Sequence, residues 1–167
     1  MNRVQPAALP DNALLMAYRT RGDHADCYEV TVPQAVTLAG FMAAFYTSPA
    51  FKLERWLLAH LSHFPSTDEQ AHALARGERS QFAAWQVESR MADQAVLAAG
   101  RTRSWFMVAP LPDGSGTRLR FGSAVVQRKR GGMGWAFGAL LGFHKLYSRI
   151  LLTAAARRLQ ASPRSLP

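Results

Sequence analysis

"GGMGWAFGALLGFHKLYSRILLTAAARRLQ" (131–160) follows the basic run "QRKR" (127–130) and is the most apolar part of an arginine-rich chain. Such a segment enters a membrane, lies on one, or closes a core, and the choice sets the fold. Residues 133–143 carry no charge, but a helix of that length rises only ~17 Å against a hydrocarbon layer of ~30 Å. A longer span must take in Lys145 and Arg149, at about 2.5–3.5 kcal/mol per charge near the bilayer centre. Spanning is rejected. Lys145, Arg149, Thr153 and Arg157 recur every fourth residue as a polar stripe, with Leu140, His144, Tyr147, Leu151 and Ala155 around the other side. One apolar face and one solvated stripe predict a long helix packed across a sheet. A helix lying on an acidic membrane, helped by "QRKR", is the alternative.

The rest of the chain supplies that sheet. "DCYEVTV" (26–32) alternates Cys27, Glu29 and Thr31 with Tyr28, Val30 and Val32, and Pro33 stops it. Helical spacing follows in "QAVTLAGFMAAFYTS" and resumes after Ser48-Pro49 in "PAFKLERWLLAHLSHF", where Leu53, Trp56, Leu57 and His60 share a face. "STDEQAHALARGE" has the Ser66/Glu69 spacing of a capping box and ends near Gly77, which predicts a third short helix. Four strands then read as a meander: "SQFAAWQVESR", "DQAVLAAG", "RTRSWFMVAP" and "TRLRFGSAVVQ", the last two joined through an Asp-Gly turn.

Composition narrows the function classes. With 167 residues, 49% apolar and 19% charged, the chain fits one globular domain. The expected division is a poorly ordered arm over 1–22, a domain over 23–161 and a tail over 162–167. The formal charge of +9 favours anions as partners. Cys27 is the only cysteine, which rules out an intramolecular disulfide; a cytoplasmic setting is the default expectation.

A strand, short helices, an antiparallel meander and a long terminal helix form an order that resembles the helix-grip fold of the START, polyketide-cyclase and birch-allergen-like superfamily. The phrases "FYTSPAFKLERWLL", "RSWFMV", "GTRLRFGSAVV" and "LLGFHKLYSRILL" are also similar to small bacterial proteins of the domain-of-unknown-function type. The resemblance implies an α+β fold, with a curved antiparallel sheet gripped by the C-terminal helix and a cavity between them. Five strands are legible, against seven in the larger members.

No Gly-x-Gly-x-x-Gly, P-loop or His-Glu-x-x-His pattern is present, and no cofactor or metal is expected. His60 and His63 lack a carboxylate at matching helical spacing. Gly134, Gly138 and Gly142 form a ridge suited to close packing on the sheet or to a homodimer contact. Arginines at 101, 103, 118, 120, 128 and 130 interleave with Trp105 and Phe106, but no nucleic-acid motif accompanies them and acids dilute the field. The candidate site is therefore a pocket lined by Trp85, Trp105, Phe121, Ser123, His144 and Tyr147 for an apolar or amphipathic small molecule. Two alternatives are a cyclase- or hydrolase-like enzyme in the same cavity and a peripheral membrane or interaction module.

Overall fold

The computed structural model describes residues 3–53, 55, 65–126 and 135–161, with backbone only over 135–146. In chain order it contains β1 (Gln5–Pro6), α1 (Met16–Thr20), β2 (His24–Val32), α2 (Leu38–Tyr46), α3 (Asp68–Arg76), β3 (Gln81–Phe82), β4 (Trp85–Arg90), β5 (Gln94–Ala99), β6 (Thr102–Pro110), β7 (Thr117–Val125) and α4 (Trp135–Ala161). A short helical stretch also begins at residue 49. The strands form one open antiparallel sheet in the order β1-β2-β7-β6-β5-β4-β3. Both edge strands have only two residues, and Pro6 sits on one of them, so little unpaired edge is offered to another chain.

Seven strands stand where five were legible. One addition is Gln5–Pro6, too short to show a period. The other arises because "SQFAAWQVESR" is a hairpin: Phe82 pairs with Trp85 across a two-residue turn, with Ala83 at φ 47°. Alanine rarely adopts a left-handed conformation, so no turn signal marks this position. Downstream, a register shift between Val87 and Ser89 re-aims Glu88.

Period-two alternation gives the sheet two apolar faces. Tyr28, Val30, Ala95, Leu97, Phe106, Leu119 and Phe121 join the larger core with the helices. Cys27, Val96, Trp105, Met107 and Ala124 belong to a second core on the reverse face. That second core corrects the expected arm, because Leu9, Ala13, Leu15 and Tyr18 bury themselves there and Leu15 is fully enclosed. The backbone of this segment is tied down as well. Gln94 Oε1 accepts from Leu14 N–H and Trp105 Nε1, and its Nε2 donates to the Asn12 carbonyl. Tyr18 donates its hydroxyl proton to Glu88, and Arg103 bonds both. Gly122 lies beneath the segment: a Cβ there would sit 2.5 Å from the Asp26 carbonyl oxygen and 3.1 Å from Leu15 Cδ2.

The helices close the other face. Thr37 caps α2 by accepting from Gly40 N–H. The capping box of α3 is Thr67 with Gln70, one residue beyond the expected Ser66/Glu69 pair. Both pairs fit the pattern, and backbone geometry at Thr67 decides between them. Gly77, at φ 80°, ends α3, and Arg90 from β4 donates to the Leu74 and Ala75 carbonyls at that terminus. The face expected for the 49–55 stretch is also corrected. Leu53 is exposed while Phe51 and Arg55 are buried; Trp56, Leu57 and His60 lie outside the described residues. Arg55 reaches α3, bonding Ser66 Oγ at 2.9 Å, the Ser66 carbonyl at 2.7 Å and Asp68 at 2.5 Å. In α4 the buried face is Ser148, Leu151, Leu152, Ala155 and Ala156, and Gln34 bonds the Leu159 carbonyl. Among the described residues no helix is long and apolar enough to cross a membrane.

Two outcomes follow for stability. Leu15→Ala should lower unfolding free energy by about 3 kcal/mol in urea titration, as for other enclosed leucines, whereas an unpacked arm would give no change. Ala83→Gly should raise it by up to about 1 kcal/mol by relieving the left-handed turn. A third concerns pH. Burial acts to raise the Asp68 carboxyl, but hydrogen bonds from Lys52 and Arg55 outweigh it and hold the group below its ordinary value. A lowered folded value stabilises above the unfolded value, and that contribution fades as pH falls through the folded one. Asp68→Asn should therefore lower Tm at pH 7, and the gap to the parent should close below about pH 4, the ordinary aspartate range.

Candidate functional site

On the face covered by the helices, three central strands set their residues in rows. Val30, Leu119 and Val108 form one row; Tyr28, Phe121 and Phe106 form the next. Asp26, Ser123 and Ser104 follow, then His24, Val125 and Thr102. The face thus changes from aliphatic through aromatic to polar along the strand direction. α4 runs along the same gradient. It follows β7 from the His24 end, and its Leu159 end meets Gln34 just beyond Val32.

The aromatic half is solid. Phe121 lies 4.6 Å from the Phe45 ring and 5.2 Å from Phe106, and Trp85 lies 5.2 Å from Phe51. Tyr46 and Phe82 complete a packed wall, with Tyr46 5.2 Å from Phe82 and 5.6 Å from Phe106. Tilted and edge-to-face ring pairs favour these contacts beyond area burial alone. Here the space between sheet and α2 is filled by side chains.

The polar half is built differently. Asp26 Oδ1 accepts from both Ser123 N–H and Ser123 Oγ, at 3.0 and 2.8 Å. Asp26 Oδ2 and His24 Nε2 are buried yet find no hydrogen-bond partner among the described residues. Buried polar atoms are nearly always paired, and leaving one bare costs about 1–3 kcal/mol. The two atoms stand two residues apart on one face of β2, where a polar group would complete both.

The six residues expected at a pocket are therefore distributed unequally. Ser123 stands in the polar half. Phe121 and Trp85 belong to the aromatic wall, and Tyr147 is half-buried against the same core. His144 lies within α4, its side chain outside the described part. Trp105 is corrected: it pairs with Gly122 and is enclosed in the reverse core, its indole N–H held by Gln94. Trp85 and Trp105 lie on different strands, so alternation within each leaves their relative facing open until the register is known. Sequence reasoning missed His24 and Asp26. Asp26 opens "DCYEVTV" on the Tyr28 face, and extending that strand by two residues places His24 there as well.

Other potential chemistry is absent from the described part. It contains no cluster of metal-ligating side chains, while His60 and His63 lie outside it. Cys27 faces the reverse core, where burial, chiefly, pushes its thiol up to about 12. Compared with models of known protein families and with curated proteins, the chain matches none.

The thiol provides a direct check on the reverse core. Thiolate is the reactive form, so Cys27 should alkylate with iodoacetamide at pH 8 at least on the order of 100-fold more slowly than a free thiol, and at the ordinary rate in denaturant. Rapid native labelling, followed by mass spectrometry, would contradict a sealed N-terminal segment.

Proposed function

We propose that the protein binds an amphipathic small molecule between the sheet and α4, in a helix-grip-like arrangement resembling the START and polyketide-cyclase superfamily. The observation that carries this reading is a pair of buried atoms, His24 Nε2 and Asp26 Oδ2, without partners among the described residues, at the polar end of an otherwise apolar face. A ligand whose polar head meets these atoms and whose apolar body runs toward Phe121 and Tyr147 satisfies both halves of the gradient. An apolar wall with a few convergent polar groups is the usual make-up of a small-molecule site. Trp85 then supports the wall from behind, and Trp105 is structural.

Binding is preferred over cyclase- or hydrolase-like catalysis. Among the described residues no histidine is hydrogen-bonded to a hydroxyl or thiol nucleophile, and Ser123 gives its proton to Asp26, which also accepts the Ser123 backbone N–H. Those two hydrogen bonds to Oδ1 fix Asp26 and leave Oδ2 for the ligand's donor.

Native mass spectrometry of freshly purified protein should show a co-purified small molecule. Asp26→Asn keeps the Ser123 contacts through its amide oxygen but replaces the unpartnered acceptor by a donor. It should weaken retention of that molecule about 10-fold or more, as expected for losing a hydrogen bond to a charged group, with Tm little changed. Binding unaffected by Asp26→Asn and by His24→Ala would place the ligand elsewhere and defeat the reading.

A further inference from the structure

We infer that a second site, outside the sheet–helix space, binds a phosphate group in a groove between the N-terminal segment and α4. The groove has a volume of about 530 Å³ and is lined by Arg3, Val4, Arg149, Ile150, Ala154 and Arg157, among others. None of its lining residues is acidic.

The argument rests on how the chain distributes its arginines. Arg21, Arg55, Arg76, Arg103, Arg118 and Arg120 have carboxylate partners. Arg90 and Arg101 bond backbone carbonyls. Arg3, Arg149 and Arg157 have neither an ion pair nor a side-chain hydrogen bond among the described residues, yet they line one groove. Like charges around one concavity repel, weakly where water screens them, and an anion in the groove would offset that repulsion. Arg149 and Arg157 stand two turns apart on one helix face, about 12 Å along the axis. Long guanidinium side chains can reach one group from that separation, and Arg3 adds a third from the N-terminal segment. A planar guanidinium suits bidentate contact with phosphate oxygens.

Apart from Thr153, whose hydroxyl donates to the Arg149 carbonyl, the remaining lining is apolar. Ile150 is 46% exposed, and Val4 and Ala154 lie beside it. A phosphate carried on an apolar body fits this combination better than a bare ion. Such a phosphate comes either from an acidic lipid headgroup or from a soluble phosphorylated compound.

The full chain should be tested in two arms. One is flotation with phosphatidylcholine vesicles with and without phosphatidate; the other is calorimetry with inorganic phosphate and glycerol 3-phosphate. The variant Arg149→Gln/Arg157→Gln is compared with Arg19→Gln/Arg79→Gln, which removes the same charge from exposed arginines elsewhere that have no side-chain partner among the described residues. Arg3→Gln, outside the helix, serves if the double variant fails to fold. Flotation only with phosphatidate, falling at least 10-fold in the groove variant and retained in the control, supports a headgroup site. Binding of the soluble phosphates with the same dependence supports a soluble ligand. No binding in either arm, or binding that persists in the groove variants, overturns the inference. Persistence would assign any membrane attraction to charges outside the groove, including the run at 127–130.

Discussion

The pairing of β2 with β7 is the constraint on which the rest of the molecule depends. It joins His24–Val32 to Thr117–Val125 over nine aligned pairs, bringing together segments roughly a hundred residues apart. Closing so long a loop is entropically unfavourable, but the penalty grows only slowly with length, and a full central ladder repays it. The antiparallel sense of that ladder then fixes the traffic of the chain. Pro33 leaves the sheet at one end and Val126 at the other, so α2 and α4 enter the helical layer from opposite sides. The register also aligns Tyr28 with Phe121 and Asp26 with Ser123, which creates the polarity gradient along the covered face. A one-residue slip would exchange the two faces of β2 and move Cys27 and Glu29 toward the helices.

Because both faces of the central strands are apolar, both need cover. Helices supply it on one side. On the other, a segment with little regular structure does so by satisfying its backbone through Gln94, a buried side chain that bonds with both ends of its amide. Buried irregular backbone is stable only with such partners. Gly122 completes the arrangement by removing the one Cβ that would hold Leu15 off the sheet. The reverse core thus seals Cys27 and Trp105, leaving the chemically adaptable surface to the helix side and to the outer groove at α4.

Much of the layered design was legible in the sequence, for reasons that can be named. β2, β6 and β7 are long, alternate cleanly and have turn residues at their ends. α4 shows its stripe over several turns. What was not legible depends on non-local geometry. A two-residue edge strand has no period, and the Ala83 turn breaks the residue preference that normally marks a hairpin. The 1–22 segment reads as an arm because its burial comes from scattered contacts at Leu9, Ala13, Leu15 and Tyr18 rather than from a repeating pattern. The facing of Trp105 needed a register that single-strand alternation does not supply.

The candidate site illustrates the same limit and shows why it moves. Large aromatics attract attention as pocket linings, yet large aromatics also give most apolar area per residue and are the natural filling of a core. Phe121 and Trp85 do that here. A binding function would instead leave its trace where a folding requirement is broken, and packing alone gives no reason to bury Asp26 Oδ2 and His24 Nε2 without partners among the described residues. The same logic distinguishes the outer groove, where arginines unpaired among the described residues gather although acids elsewhere in the chain hold other arginines. Both proposals start from an interaction left unmade among the described residues, and they differ in what would complete it: a polar head within an apolar layer in one, and a phosphate at the surface in the other.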